Sequence, residues 1–251
     1  MKVSIITATF NSEKTLNICM TSVLEQTYSN IEYILVDGQS SDHTVKLIQE
    51  FALQYENIQY ISEHDDGIYD ALNKGIKKAT GDVIGFVHSD DFLANPNIVE
   101  DIVCCFKRYN VDGVYGNLHY VSSTNINKVL RNWESRPFSK KLLKLGWMPA
   151  HPTLFLKASV YKNKGVFNKT FRIAADYDFI LRIFTDDDYS FYFLPKVITK
   201  MRVGGKSNNN LKNIIKKTRE DLNAAKNNGL SLPYKVIFSK NISKLPQWFK
   251  I

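Results

Sequence analysis

Asp90 and Asp91 close the apolar stretch Gly85-Phe86-Val87-His88-Ser89. Two adjacent carboxylates repel each other unless a cation or a set of donors compensates them. A hard divalent ion, Mn2+ or Mg2+, meets that need, since it binds one or two carboxylates and fills its shell with phosphate oxygens and water. The plainer use of such a pair is to cap the segment that follows. Asp37 opens a second polar turn, Asp37-Gly38-Gln39-Ser40-Ser41-Asp42. Its carboxylate either makes an Asx turn or accepts from a ligand N–H. Asp70, Asn73 and Lys74 share one helical face by their i, i+3, i+4 spacing, which suits either joint reach to a ligand or a solvated ion-paired surface.

Elements that position these groups are legible from the hydrophobic pattern. Residues 3–8 form a β-rich apolar run that ends in Thr9-Phe10-Asn11-Ser12, with Asn11 or Ser12 set to cap a helix over 13–26. Residues 31–36 repeat the pattern before a helix over 44–55, for which Ser41 and Asp42 are caps. A strand over 58–62, a helix over 68–79 and a strand over 83–87 follow. Strands alternating with helices predict an α/β fold with a largely parallel mixed sheet flanked by helices, and in such sheets ligands bind beyond the carboxyl ends of the strands. Thr9, Asn11, Asp37, Ser40, Asp90 and Asp91 all fall there. The second half is less regular, with strands expected over 114–121, 128–133, 189–195 and 198–203 and a helix within 171–184.

The chain has 251 residues, 44% of them hydrophobic, enough for one full core. Cys19, Cys104 and Cys105 are too few for a disulfide framework and lack zinc-ligand spacing, so a reducing cytosol is expected. No apolar run approaches the roughly 18 residues of a membrane span, and the N-terminus lacks a signal-peptide core. The formal charge of +8 is concentrated at the end, where residues 200–251 carry 12 Lys and Arg against 2 Asp and Glu. Leu211, Ile214, Ile215, Leu222 and Ala225 follow helical spacing there, and beyond them aromatic and aliphatic residues alternate with lysines. This basic C-terminal tail, 208–251, predicts contact with an anionic membrane surface; packing on the rest of the protein is the alternative.

Taken together, Val3-Ser4-Ile5-Ile6-Thr7-Ala8-Thr9-Phe10-Asn11, Ser22-Val23-Leu24-Glu25-Gln26-Thr27-Tyr28, the Asp37–Asp42 turn, Gly67-Ile68-Tyr69-Asp70-Ala71-Leu72-Asn73-Lys74-Gly75 and Ala79-Thr80-Gly81-Asp82 followed by Asp90-Asp91 resemble the family 2 glycosyltransferases of GT-A fold. The resemblance covers roughly residues 3–207 and implies one catalytic domain, with a donor-binding half over about 1–110 and an acceptor half over about 111–207. It implies inverting transfer from a nucleoside diphosphate sugar, usually a uridine one, to a glycan or lipid-linked saccharide of the kind found in bacterial O-antigen and other surface polysaccharides. Thr9 and Asn11 would lie at the nucleotide, Asp37 at the base edge, Asp90 and Asp91 at ribose and metal-diphosphate in a DXD-like motif, and Asp70, Asn73 and Lys74 at the donor. Ala174-Ala175-Asp176-Tyr177-Asp178 resembles the acceptor-side motif, which makes Asp176 the general base and Asp178 the alternative; the commoner family form has Glu-Asp where this chain has Ala175-Asp176. Trp147 and His151, in a proline-bounded loop, are expected at the acceptor. Met201 to Ser207 resembles a flexible glycine-rich segment that closes over the diphosphate.

Rival functions fit less well. No glycine pattern follows the first strand, against a dinucleotide oxidoreductase. Acids at the strand ends would repel nucleic-acid phosphates, so no nucleic-acid partner is expected. A sugar nucleotidyltransferase, which also needs metal, nucleotide and carboxylates, is the nearest alternative. The expected location is the cytoplasm, peripheral on the inner face of the membrane.

Overall fold

The computed structural model describes residues 1–204 and 211–242. The elements run β1 Val3–Thr9, α1 Leu16–Leu24, β2 Ile31–Asp37, α2 Thr44–Ala52, β3 Ile58–Ser62, α3 Ile68–Lys78, β4 Val83–Phe86, β5 Asp91–Leu93, α4 Ile98–Tyr109, β6 Gly113–Val121, β7 Val129–Trp133, α5 Lys140–Lys144, β8 Phe155–Lys157, α6 Ala158–Lys164, α7 Ala175–Phe184, β9 Phe191–Arg202, α8 Leu211–Asn227 and α9 Pro233–Ile242. One sheet holds nine strands in the order β3-β2-β1-β4-β8-β6-β9-β5, with β7 on β6. β3, β2, β1 and β4 are parallel, β8 is antiparallel to both β4 and β6, and β9 lies parallel to β6. Helices cover the two faces with separate cores, one built around Ile6, Ile34 and Phe86, the other around Ile5, Tyr33 and Val103. Successive residues of β1 and β2 therefore enter opposite cores, which is why both strands are buried at every position.

The expected parallel half is present. α1 starts later than its pattern suggests, because Asn11 takes a left-handed φ of 50° and the carbonyl of Ser12 receives the N–H groups of Thr15 and Leu16 at 3.1 and 3.0 Å. Asp42 does cap α2, accepting from the Thr44 N–H at 3.0 Å. In the second half the two strands expected over 189–203 are one, β9, whose pairing with β6 is irregular around Gly116. Pro195 has no N–H for a ladder, and Gly116 allows the carbonyl of Lys196 to come where any Cβ would stand 2.7 Å away. α4, α5, α6 and β8 lie outside the expected elements.

The described part of the basic tail packs on the protein, the alternative named for it above. α8 packs on α7 and α9 on α8, with Ala224, Ala225, Val236 and Ile237 buried in the protein, while Ile214 and Ile215 face outward. Lys240 is buried as well, in an ion pair with Asp221 at 2.8 Å. Residues 243–251, with Leu245, Trp248 and Phe249, lie outside the described residues, as do Gly205, Lys206 and Ser207.

One buried acid fastens the sheet's N-terminal edge. Glu32, 3% exposed, accepts from Ser4 Oγ, Thr80 N, Thr80 Oγ1 and Lys2 Nζ at 2.5, 2.8, 2.7 and 2.9 Å. Burial works against its charge, but these donors outweigh it and hold its pKa down to about 2, from an ordinary 4.5. A depressed acid stabilises above its unfolded pKa, and that contribution is lost as pH falls through the folded value; here it amounts to about 3 kcal/mol. Acid titration of stability should therefore lose its slope between about pH 4.5 and 2 when Glu32→Gln is introduced. An unchanged slope in chemical unfolding would contradict this account.

Candidate active site

β1, β2 and β3 end level with one another, Thr9 beside Asp37 and Asp37 beside Ser62. Asp37 accepts from Thr9 Oγ1 at 3.0 Å, Ser40 N at 3.0 Å, Ser62 Oγ at 2.7 Å and also from Ser40 Oγ. It is wholly buried, so its carboxylate organises the loop instead of standing open to a base edge. Asn11 is exposed, and its side-chain oxygen accepts from the Ser41 N–H at 2.9 Å, which holds the two nucleotide-side loops together. Asp65 lies against Gly38, where a Cβ would stand 2.3 Å from its Oδ2. Its position at this edge was not expected, because nothing local marks a turn residue that becomes adjacent only through β3.

β4 delivers the acidic pair to the same edge. The Asp91 N–H closes a tight turn on the carbonyl of His88 at 2.8 Å, and Arg202 Nη1 donates to the carbonyl of Asp90 at 2.7 Å. Ser12 and Ser89 hydroxyls meet at 2.9 Å, joining this turn to the loop after β1. The two acids then diverge. Asp90 keeps part of its surface exposed, whereas Asp91 is wholly buried at the first position of β5. Neither carboxylate oxygen of Asp91 has a hydrogen-bond partner among the described residues. Burial, then the neighbouring charge of Asp90, pushes its pKa well up, and Arg202 only partly offsets this. Among the described residues no group of three or more His, Cys, Asp or Glu is placed to hold a metal alone. A half-open carboxylate backed by an unpartnered buried one fits a hard cation that takes its remaining ligands from phosphates.

Opposite this pair stands α7. Asp176, in its first turn, accepts from Tyr69 Oη at 3.2 Å, and the same hydroxyl reaches the carbonyl of Ile173 at 2.8 Å. The rings of His88 and His151 lie 5.7 Å apart, and each keeps one buried nitrogen without a partner among the described residues, Nδ1 of His88 and Nε2 of His151. Burial lowers the pKa of both, that of His151 to about 4, against the pull of Asp176. His88 is within the field of Asp90 and of Asp176 together. The structure thus gathers Asp90, His88, His151, Tyr69 and Asp176; His88 and Tyr69 are the additions that spacing did not single out.

Other expected residues are placed elsewhere. Asn73, 6% exposed, spends its amide on Phe167, donating to the carbonyl and accepting from the N–H at 2.9 Å each. Asp70 and Lys74 form a network with Lys169 at 2.8 Å and Glu63 at 3.0 Å. The three residues on one helical face therefore do not reach a ligand together. Trp147 is packed among Tyr115, Phe138 and Phe184 in an aromatic cluster, not laid open as a platform. Asp178 is buried and paired with Arg182, with Asn228 donating to its other oxygen at 3.0 Å, which removes it as a base.

An acid whose folded pKa is raised costs stability above its unfolded pKa, and the cost disappears as pH falls to the ordinary carboxylate range. Asp91→Asn should accordingly raise the melting temperature of the ligand-free protein at pH 8, with a gain that shrinks toward pH 4. A variant melting below the wild type at pH 8 would show that Asp91 is compensated after all.

The model described as Glycosyl transferase family 2 matches residues 4–173. A PGL/p-HBAD biosynthesis glycosyltransferase of Mycobacterium tuberculosis is 29% identical over 208 residues, covering 82% of this chain and 78% of the relative. Another glycosyltransferase of that organism, described as uncharacterized, is 34% identical over 182 residues, covering 72% of this chain and 68% of its own. Among solved structures, S. aureus TarS 1–349 in complex with UDP-GlcNAc aligns with a TM-score of 0.73 at 18% identity, over 99% of this chain and 78% of that one. The mannosyltransferase PcManGT from Pyrobaculum calidifontis, in complex with GDP-Man and Mn2+, aligns with a TM-score of 0.69 at 16% identity, over 98% and 70%. At such identities the likeness is one of fold, the GT-A fold. With the family model matching well over half of the chain, from β1 through α6, the chain belongs to glycosyltransferase family 2.

Proposed function

We propose that this glycosyltransferase moves a sugar from a nucleoside diphosphate sugar, a uridine one by preference, to a hydroxyl of a glycan acceptor with inversion at the anomeric carbon. The observation that carries the reading is a run of ring contacts, His88–His151, His151–Phe167 and Phe167–Tyr69 at 5.7, 5.6 and 5.5 Å, that leads from the turn of Asp90 to Asp176, which accepts from Tyr69 at 3.2 Å. Two carboxylates flanking one space suit a displacement in which charge departs at one end and a proton at the other. Thr9 and Asn11 line the nucleotide, and Asp37 fixes the loop that receives the base. Asp90, with Asp91 behind it, would hold Mn2+ or Mg2+ at the diphosphate end of the donor. A divalent ion bound there neutralises the charge that accumulates on the leaving diphosphate. Asp176 takes the proton of the acceptor hydroxyl as its oxygen bonds to the anomeric carbon, and the electron pair of the broken bond leaves with the diphosphate. His151, neutral at physiological pH, borders the acceptor side. The neighbouring structures hold UDP-GlcNAc in one case and GDP-Man with Mn2+ in the other, which supports a nucleoside diphosphate sugar as donor class.

An amphipathic surface supports a membrane-borne acceptor such as a lipid-linked saccharide. No helix among the described residues is long and apolar enough to cross a membrane. Leu232, just before α9, and Tyr234 and Phe238 on α9 are nevertheless exposed at 68%, 68% and 67%, next to exposed Lys235. Aromatic residues beside a lysine suit the headgroup region of an anionic bilayer, which supports peripheral attachment at the inner face of the cytoplasmic membrane.

Incubation with UDP-, GDP- and dTDP-sugars, Mn2+ and a competent acceptor should release nucleoside diphosphate. Asp176→Asn should lower kcat by about 100-fold to 10,000-fold with little change in donor KM. Release of pyrophosphate from a triphosphate, or an Asp176→Asn variant with wild-type kcat, would sink the assignment. Sedimentation with phosphatidylglycerol vesicles should fall when Tyr234 and Phe238 are both changed to serine; undiminished binding would remove the membrane proposal.

A further inference from the structure

The helix that carries Asp176 has no cap of its own. It begins after Ala174, which makes no side-chain cap bond. The N–H groups of Ile173 and Ala174 converge instead on one oxygen, Oε2 of Glu220, at 2.8 and 3.0 Å. Glu220 belongs to α8 and is 9% exposed. Orphan donors and the positive end of the helix dipole favour a carboxylate at this place. Ile173 is gripped from its other side too, since its carbonyl accepts the Tyr69 hydroxyl that also donates to Asp176. Glu220 and Tyr69 therefore close on the two residues that lead into the acid.

α8 is itself fastened. Asp221, next to Glu220, pairs with Lys240 of α9 with both side chains almost fully buried. The Lys240 ammonium lies 3.2 Å from the ring centroid of Tyr177, the residue after Asp176. Both sides of Asp176 along the chain are thus held by the C-terminal helices, by Glu220 before it and by Lys240 after it.

We infer that Glu220 is a positioning residue for sugar transfer: through Ile173 and Ala174 it sets where the Asp176 carboxylate stands, making α8 and α9 part of the working enzyme. The inference rests on the assignment of Asp176 as the base. Its test separates reach from charge. Glu220→Asp keeps the charge but is one methylene too short to span the same distance, whereas the amide oxygen of Glu220→Gln preserves both bonds without the charge. In the full chain, Glu220→Asp should speed amide exchange over residues 173–178 by about tenfold relative to β1. Its kcat should fall by about 10-fold to 100-fold, the range expected of a misplaced catalytic group, with donor KM unchanged. Glu220→Gln should stay near the wild type in both measurements. Equal losses in the two variants, unchanged local exchange in Glu220→Asp, or loosened exchange with wild-type kcat would each overturn the inference. A wild-type chain that transfers no sugar, yet shows the local exchange change in Glu220→Asp, would uphold the clamp and place the failure in the reaction assigned to Asp176.

Discussion

Parallel pairing of β1 with β2 on one side and β4 on the other is the constraint from which the site follows. Strands aligned this way end at one edge, and since each is covered by helices on both faces, polar residues at their ends meet only each other or a ligand. Thr9, Asp37 and Ser62 come level by register, and the Ser12–Ser89 contact ties the turn after β4 to the loop after β1. The opposite wall is supplied by α7, whose first turn brings Asp176 under Tyr69 of α3.

Three buried carboxylates show how selectively this molecule compensates charge. Glu32 and Asp37 each collect at least four donors, while Asp91 has none among the described residues. A sheet able to satisfy the first two so fully leaves the third open, which fits the cation proposed above. The same contrast corrects the reading of Asp37: its type and place were legible, but whether its lone pairs are open depends on Ser40 and Ser62.

The first 87 residues were readable because β1, β2 and β3 are each followed by their own helix, and the residues at strand ends are polar, so pattern and position agree. The second half mixes directions, and β8, with three residues, carries no period to detect. Face-sharing misled at Asp70, Asn73 and Lys74, where spacing is right but Asn73 turns toward Phe167, 94 residues away. The tail left two readings open for a related reason: basic amphipathic spacing at 211–225 suits an interfacial helix and a packed one alike, and only the fold shows Ala224 and Ala225 buried and Lys240 paired with Asp221 against a tyrosine ring.

Asn73 holds Phe167 by two buried hydrogen bonds, and Tyr69, one turn earlier on α3, holds Ile173. α3 belongs to the first half of the chain and both partners to the second. These bonds oppose a hinge between the halves, since swinging them apart would strip a buried amide of its partners. Under the function proposed above, substrates would then enter and leave past individual loops, and the gap between Asp90 and Asp176 would act as a gauge for the acceptor hydroxyl, setting selectivity by shape before any chemistry begins.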